Sequence, residues 1–275
     1  MLDKQSMITS ADSLFVARER RVPTPAITFS INDLTVDGAY SIQQELIKKM
    51  TAEGDVIVGA KIGLSSKANQ EKFGINEPIF GHLLASMVIP EGDSISIGSM
   101  FRPIVEPEIA FLLSDDLKGP GVTVGNVLSA TAGVMPAFEI ADSRYGTPIS
   151  RIEDNIADNS GAAIVILGGK LTRTDNLDLR MVGMVLEENG EVISTGAGAA
   201  VLGNPAQAVA NLANRWADFD IGLKAGDIVI SGTPVAAVPA EPGDFFEAIF
   251  DRLGAVSVRF VCLAVILSVC LYSFC

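Results

Sequence analysis

The chain has 275 residues, 48% apolar and 19% charged, with 33 acidic against 20 basic side chains and a net charge of −13. The apolar fraction excludes disorder, the acidic balance without a basic cluster argues against a nucleic-acid partner, and three cysteines exclude a disulfide scaffold. Those cysteines, Cys262, Cys270 and Cys275, are all C-terminal and His82 is the sole histidine, so the body must work with carboxylates, lysines, hydroxyls or backbone groups rather than thiolate, histidine-zinc or triad chemistry.

The N-terminal MLDKQSMITSADSLFVARERR has neither an uninterrupted apolar stretch nor a cleavage pattern, so no secretory signal is expected and a cytoplasmic location follows. The first fifty residues predict helix. Ala39, Ile42, Leu46 and Met50 recur at three- and four-residue spacing, with Glu45 and Lys49 on the wet side. From Val56 the pattern becomes short β-branched runs punctuated by Gly and Pro: VIVGAKIG, MVIPEGDSISI, VEPEIAFLL, VMPAFEIAD, AAIVILGG and MVGMVLEENGEVIST. Asn189-Gly190 in the last run predicts a two-residue hairpin turn. Helices are expected near Thr123 and near Asn204, where Pro205 occupies the first turn. DIVISG, DFFEAIF and AVSVRFV predict three further strands. The expectation is an α+β chain: a helical arm over residues 1–55, one β-rich domain over 56–261, and an appended tail over 262–275. Phe260 to Cys275 carries no charge, yet as a helix it would span about 24 Å against a hydrocarbon layer of about 30 Å. The tail therefore reads as a last buried strand continued by an extension, with a membrane hook as the alternative.

Chemistry concentrates in Arg102-Pro-Ile-Val-Glu106-Pro107-Glu108. Residues two apart on a strand share a face, so both carboxylates project together from an apolar run. Buried together they repel unless protonated or bridged by a cation, and all-oxygen ligation suits Mg²⁺ or Mn²⁺. Pro107 has no N–H, which predicts a sheet edge or bulge. On that account the two glutamates could equally be the wet side of an edge strand. Glu139, inside the apolar VMPAFEIAD, would complete a three-carboxylate half-shell or else pair with Arg144 or Arg102. Lys61 lies inside VIVGAKIG, where an ammonium needs an anion or a route to the rim. The following turn, Gly63-Leu64-Ser65-Ser66, offers an anion contact centred on Ser65. Asp158-Asn159-Ser160-Gly161 and Ser231-Gly232-Thr233-Pro234 are polar clusters at strand ends, ligand loops or plain turns. His82 reads as a packing residue, and the glycines form no dinucleotide fingerprint.

In order along residues 33–261, the segments GAKIGLSSKANQ, GINEPIFGHL, RPIVEPEIAFLL, DLKGPGVT, PAFEIADSRY, IADNSGAAIVILGG, STGAGAAVLGNP and LKAGDIVISGT resemble the hydratase/decarboxylase family related to the fumarylacetoacetate hydrolases. That family includes 2-keto-4-pentenoate hydratase and 4-oxalocrotonate decarboxylase. The resemblance implies a mixed, mostly β roll with flanking helices, assembled as a homo-oligomer. It implies Mg²⁺ or Mn²⁺ on Glu106, Glu108 and Glu139, an essential Lys61, and substrate contacts at Ser160 and Thr233. The implied substrate is a small anionic 2-oxo acid, a 2-hydroxy-2,4-dienoate or its 2-oxo tautomer from aromatic ring cleavage. The implied reaction is water addition or, alternatively, decarboxylation. Hydratases that the chain resembles carry Asp after the Pro of EPxxG, where this chain has Ile79; that departure favours the decarboxylase branch. A fumarylacetoacetate-type hydrolase and a non-catalytic subunit associating with a pathway enzyme are the remaining alternatives.

Overall fold

A computed structural model of the protein describes residues 2–262. The expected course of the tail falls on 263–275, outside the described residues.

The two N-terminal helices form because each has a cap and an apolar stripe. Asp3 accepts the Ser6 N–H at the start of α1 (Lys4–Arg20), and Thr35 accepts the Gly38 N–H at the start of α2 (Val36–Ala52). The stripe foreseen on α2 is buried: Ala39, Ile42, Leu46 and Met50, joined by Tyr40, Gln43 and Ile47. Next come β1 (Ile57–Gly63), α3 (Lys67–Phe73, capped by Ser66), β2 (Ile79–Leu84), β3 (Val88–Ile89), β4 (Ser94–Ser96) and β5 (Ile104–Leu113). A Thr123–Asn126 capping box opens α4 (Val124–Ser129), which leads into β6 (Thr131–Ala141). Then α5 (Ile152–Ala157) and β7 (Ala162–Leu167) precede the hairpin β8 (Gly183–Glu188) and β9 (Glu191–Ala197). Asn189 and Gly190 at its tip both have positive φ, +54° and +86°, as a type I′ turn requires. After α6 (Pro205–Trp216, capped by Asn204) come β10 (Ile228–Ile230), β11 (Val238–Pro239), β12 (Phe245–Phe250) and β13 (Gly254–Val261).

The strands make two mixed sheets, so the α+β class holds. One runs β2-β1-β10-β5-β6-β7-β3, with β11 also on β5; the other runs β4-β13-β12-β8-β9. One apolar core joins Leu14 and Ile42 of the helices to Phe111 and Phe138 of the first sheet and Phe246 and Phe260 of the second. Among the described residues no helix is long and apolar enough to cross a membrane.

One expectation is corrected. Pro107 does not mark an edge: β5 is interior, between β10 and β6. The Ile109 carbonyl accepts the Ser231 N–H, so by the two-residue period Pro107 turns its nitrogen to the same side. There β10 pairs only with Ala110–Leu112 and β11 only with Ile104–Val105. The missing donor falls in the gap between them, which is how an interior strand tolerates the proline.

Candidate active site

The β5–β6 ladder sets Glu106 directly opposite Glu139, and Glu108 projects from the same face two residues on. One carboxylate oxygen from each of the three lies within 4.8 Å of the others. Glu108 and Glu139 are buried and Glu106 is half-buried. On β1, Lys61 is 3% exposed. Its Nζ lies 3.1 Å from Glu139 Oε1 and donates to the Ser160 carbonyl at 3.0 Å. Glu139 therefore pairs with Lys61, whereas Arg144 is engaged by Asp158. Glu108 accepts the Gly232 N–H at 2.6 Å, and neither Glu139 oxygen receives an aligned hydrogen bond.

The electrostatics follow from this crowding. Burial, then Glu139 and Glu106, hold Glu108 well above the usual carboxylate range. Burial also raises Glu106, against the pull of Lys61. Glu139 is pushed up to about 7 by burial and by Glu106, with Lys61 opposing. Burial disfavours the Lys61 ammonium, but the carboxylates, Glu139 foremost, outweigh it and raise its pKa. Three ionised carboxylates and one ammonium leave two uncancelled negative charges in a buried cluster. A divalent cation cancels them, and the hard oxygen donors and the orphaned Glu139 oxygens fit one. Three protein ligands leave coordination positions for a substrate.

The cluster meets a cavity of about 540 Å³, lined by Lys61, Glu106, Ser160 and Ile79 among others. The Asp158–Gly161 loop shapes its wall. Asn159, Ser160 and Gly161 all have positive φ (+52°, +52° and +75°), a costly run for non-glycine residues. Side chains hold it there. Asn159 bonds both the N–H and the C=O of His82, each at 2.8 Å, and the Ser160 hydroxyl donates to the Phe80 carbonyl at 2.7 Å. Gly81 is required beneath, because a Cβ there would lie 2.5 Å from the Asn159 carbonyl oxygen. The outcome is a Ser160 carbonyl aimed at Lys61. Arg144 anchors the loop, with Nε 2.5 Å from Asp158 Oδ1 and Nη2 donating to the Asp158 carbonyl at 2.6 Å, all buried. Breaking a buried pair strands the other charge. Arg144→Met is thus expected to cost about 3–5 kcal/mol in denaturant unfolding; a loss under 1 kcal/mol would show that the pair is not the anchor.

Ser65 and Thr233 do not line the cavity. Ser65 packs against Gly232, where a Cβ would meet its Oγ at 2.3 Å, and the Thr233 hydroxyl donates to the Val235 carbonyl. Ser65 thus packs against the glycine whose N–H donates to Glu108. Sequence reasoning missed the cavity roles of Arg102, Lys72, Asn155 and Asp142. Lys72 lies on α3, whose sequence KANQEKF has only Ala68 and Phe73 as apolar positions and so presents no apolar stripe.

His82 lies outside the site. On β2, Gly81 is paired with Lys61 and His82 with Ala60, so the imidazole leaves the opposite face and stacks on Trp216 at 4.5 Å. Burial pushes it down to about 4. With the folded value below the unfolded one, its neutral form is favoured by folding. That stability is complete above about pH 6.5 and is lost as pH falls toward 4, by up to about 3 kcal/mol. A His82→Phe protein is expected to show a flatter acid limb in melting temperature against pH; an unchanged limb would contradict this.

A mixed β fold that gathers three carboxylates beside a lysine, with Glu106 and Lys61 lining a cavity, has the donor set that could hold a divalent cation. The chain belongs to the fumarylacetoacetate hydrolase C-terminal family, whose sequence model matches residues 54–261. It is 38% identical over 263 residues to 2-hydroxyhexa-2,4-dienoate hydratase of Comamonas testosteroni, covering 94% of this chain and 99% of that one. It is 39% identical over 237 residues to 4-oxalocrotonate decarboxylase of Pseudomonas sp. strain CF600, covering 86% and 90%. The structure of 4-oxalocrotonate decarboxylase from Pseudomonas putida G7, complexed with magnesium and adipate, superposes with a TM-score of 0.92 at 35% identity, covering 95% of this chain and 99% of that one.

Proposed function

We propose that the protein is a divalent-metal-dependent lyase that adds water to a 2-hydroxy-2,4-dienoate, or its 2-oxo-enoate tautomer, in the manner of 2-keto-4-pentenoate hydratase. The observation that carries this is the clustering of Glu106, Glu108 and Glu139 beside Lys61 at a cavity. Glu106, Glu108 and Glu139 would hold Mg²⁺ or Mn²⁺, which supplies Lewis-acid stabilisation of negative charge on a 2-oxo acid. Lys61 keeps a fixed positive charge beside the oxygen where enolate charge grows and can pass a proton to it. Its ammonium is oriented by Glu139 and the Ser160 carbonyl, so the charge is in place before reaction. Ser160 thus acts through its backbone, while Ser65 packs against the glycine that donates to Glu108. The chain works in the cytoplasm as a homo-oligomer, on a small-molecule substrate and without nucleic acid.

Decarboxylation is the second reading. Ile79 lines the cavity where a hydratase would hold an acid/base carboxylate. Incubation of the Mg²⁺-loaded protein with 2-hydroxypenta-2,4-dienoate and, separately, 2-oxohex-3-enedioate decides the reaction. Loss of dienoate absorbance without CO₂ supports hydration; CO₂ from the diacid supports decarboxylation. A metal-loaded protein inert to both would overturn the proposal.

A further inference from the structure

One wall of the cavity is a segment without regular structure. Gly146, Thr147, Pro148 and Ile149 line it between the end of β6 and the start of α5, and Asn155 of α5 continues it. Among the described residues, no backbone group of Thr147, Pro148 or Ile149 has a hydrogen-bonded partner, so the wall depends on its neighbours for its course. Those neighbours lie in the strap over residues 21–35 that joins α1 to α2. Pro23 and Pro25 stiffen it, because each fixes its own φ and keeps the residue before it extended. The strap is fastened to the wall at four points. The Thr24 N–H donates to the Arg144 carbonyl at 3.0 Å. Pro23 approaches Gly146 so closely that a Cβ there would lie 2.7 Å from it. Arg151, at the far end of the segment, donates to the Asn32 and Leu34 carbonyls at 2.8 and 3.3 Å. Between these, Thr28 donates its N–H and its hydroxyl to the Asp154 carboxylate at 3.0 and 2.6 Å. Asp154 is 1% exposed, and a buried carboxylate stays where its donors are. Its carbonyl in turn accepts the Tyr145 hydroxyl at 2.9 Å, so a chain of bonds runs from Thr28 to the wall.

We propose that Thr28 is a positioning residue for substrate binding: through Asp154 and Tyr145 it fixes the Gly146–Ile149 wall against the ligand. This rests on the cavity being the place where the 2-oxo acid binds. The role falls to a segment outside residues 54–261, the span that the family model matches. The carboxylate cluster does not depend on the strap. Glu106, Glu108 and Glu139 stand on β5 and β6, whose pairing is continuous from Ile104 to Leu112. Loosening the strap therefore lowers the fraction of molecules with a formed wall, and the apparent affinity falls in proportion. Substrate that does bind still meets an intact carboxylate cluster and Lys61. The signature is a raised KM at an unchanged kcat.

Thr28→Val keeps the side-chain volume and removes the hydroxyl donor, whereas Thr28→Ser keeps the donor. With the Mg²⁺-loaded full chain, Thr28→Val is expected to bind the unreactive 2-oxopentanoate about tenfold more weakly by calorimetry, as a wall formed one-tenth of the time requires. Thr28→Ser should stay within about threefold of the unmodified protein, and Mn²⁺ affinity should hold in both variants. Amide hydrogen exchange supplies a readout that needs no ligand: residues 144–157 should exchange faster in Thr28→Val while β5 and β6 do not. Unchanged acid affinity, an equal loss of acid and metal affinity, or unchanged exchange would each overturn the positioning role. Arg151→Met carries the same test should Thr28→Val fail to fold, because the Arg151 side chain is 37% exposed and ties the strap from the surface. An unmodified protein that binds Mg²⁺ but not the acid would overturn the reading of the cavity, and the binding role with it, while the exchange still reads whether the strap holds the wall.

Discussion

A Glu108→Gln protein is expected to lose metal-dependent turnover by about 10²–10³-fold while remaining at least as stable as the unmodified protein without metal. The substitution keeps the side-chain volume and leaves a carbonyl oxygen to accept the Gly232 N–H, now 2.6 Å from Oε2. What it removes is a charge that burial, Glu139 and Glu106 already disfavour. Folding gains nothing from that charge, so its loss costs the metal-free fold nothing. The metal does depend on it, because an amide is a weaker and neutral donor for a hard cation. Losing one preorganised electrostatic contribution accounts for the expected rate loss. The paired measurements are turnover and the rise in melting temperature on adding Mg²⁺, which binding to the native state alone produces. A variant that keeps the rise, or that melts far lower without metal, contradicts this assignment.

Lys61→Met is expected to fail in both respects. Nζ is buried against Glu139 and the Ser160 carbonyl, so its removal leaves three carboxylates without a cation. Removing one partner of a buried pair costs about 3–5 kcal/mol. The loss should be smaller in Mg²⁺, because the ion takes over part of the neutralisation. The metal-loaded variant, though folded, should still turn over about 10²–10³-fold more slowly, because the charge beside the developing oxyanion is gone. A purely structural lysine would recover its rate once Mg²⁺ restored the fold. Recovery of that kind would contradict a catalytic role.

Both predictions rest on residues visible in the sequence, and for a physical reason. Carboxylates two apart in an apolar strand, a third in another apolar strand and a lysine in VIVGAKIG are each costly unless something compensates them. Costly residues stand out by composition alone. The helices α2, α4 and α6 were legible because each combines a capping residue with a periodic apolar stripe, and the β8–β9 hairpin because Asn-Gly has a strong turn preference. β2 was not read as a strand. All six of its residues are buried, so it lacks the alternation that marks a half-exposed strand. Pro107 misled because the rule for proline in sheets concerns a local missing donor, whereas the gap between β10 and β11 is set by residues more than a hundred positions away. The same distance hid the cavity wall. Lys72, Arg102 and Asn155 share it only because α3, the segment leading into β5, and α5 converge there, and no local pattern encodes that meeting. The Ser160 carbonyl was equally invisible: the sequence shows a hydroxyl, and the fold uses the backbone.

The central claim is that Glu106, Glu108 and Glu139 hold one divalent cation at the cavity that Lys61 faces. Titration of the metal-free protein with Mn²⁺, followed by electron paramagnetic resonance, tests it most directly. The account predicts one tightly bound ion per chain, displaced by excess Mg²⁺ and lost when Glu106 and Glu108 are replaced by glutamine. Absence of saturable Mn²⁺ binding, or binding that survives both replacements, would contradict it.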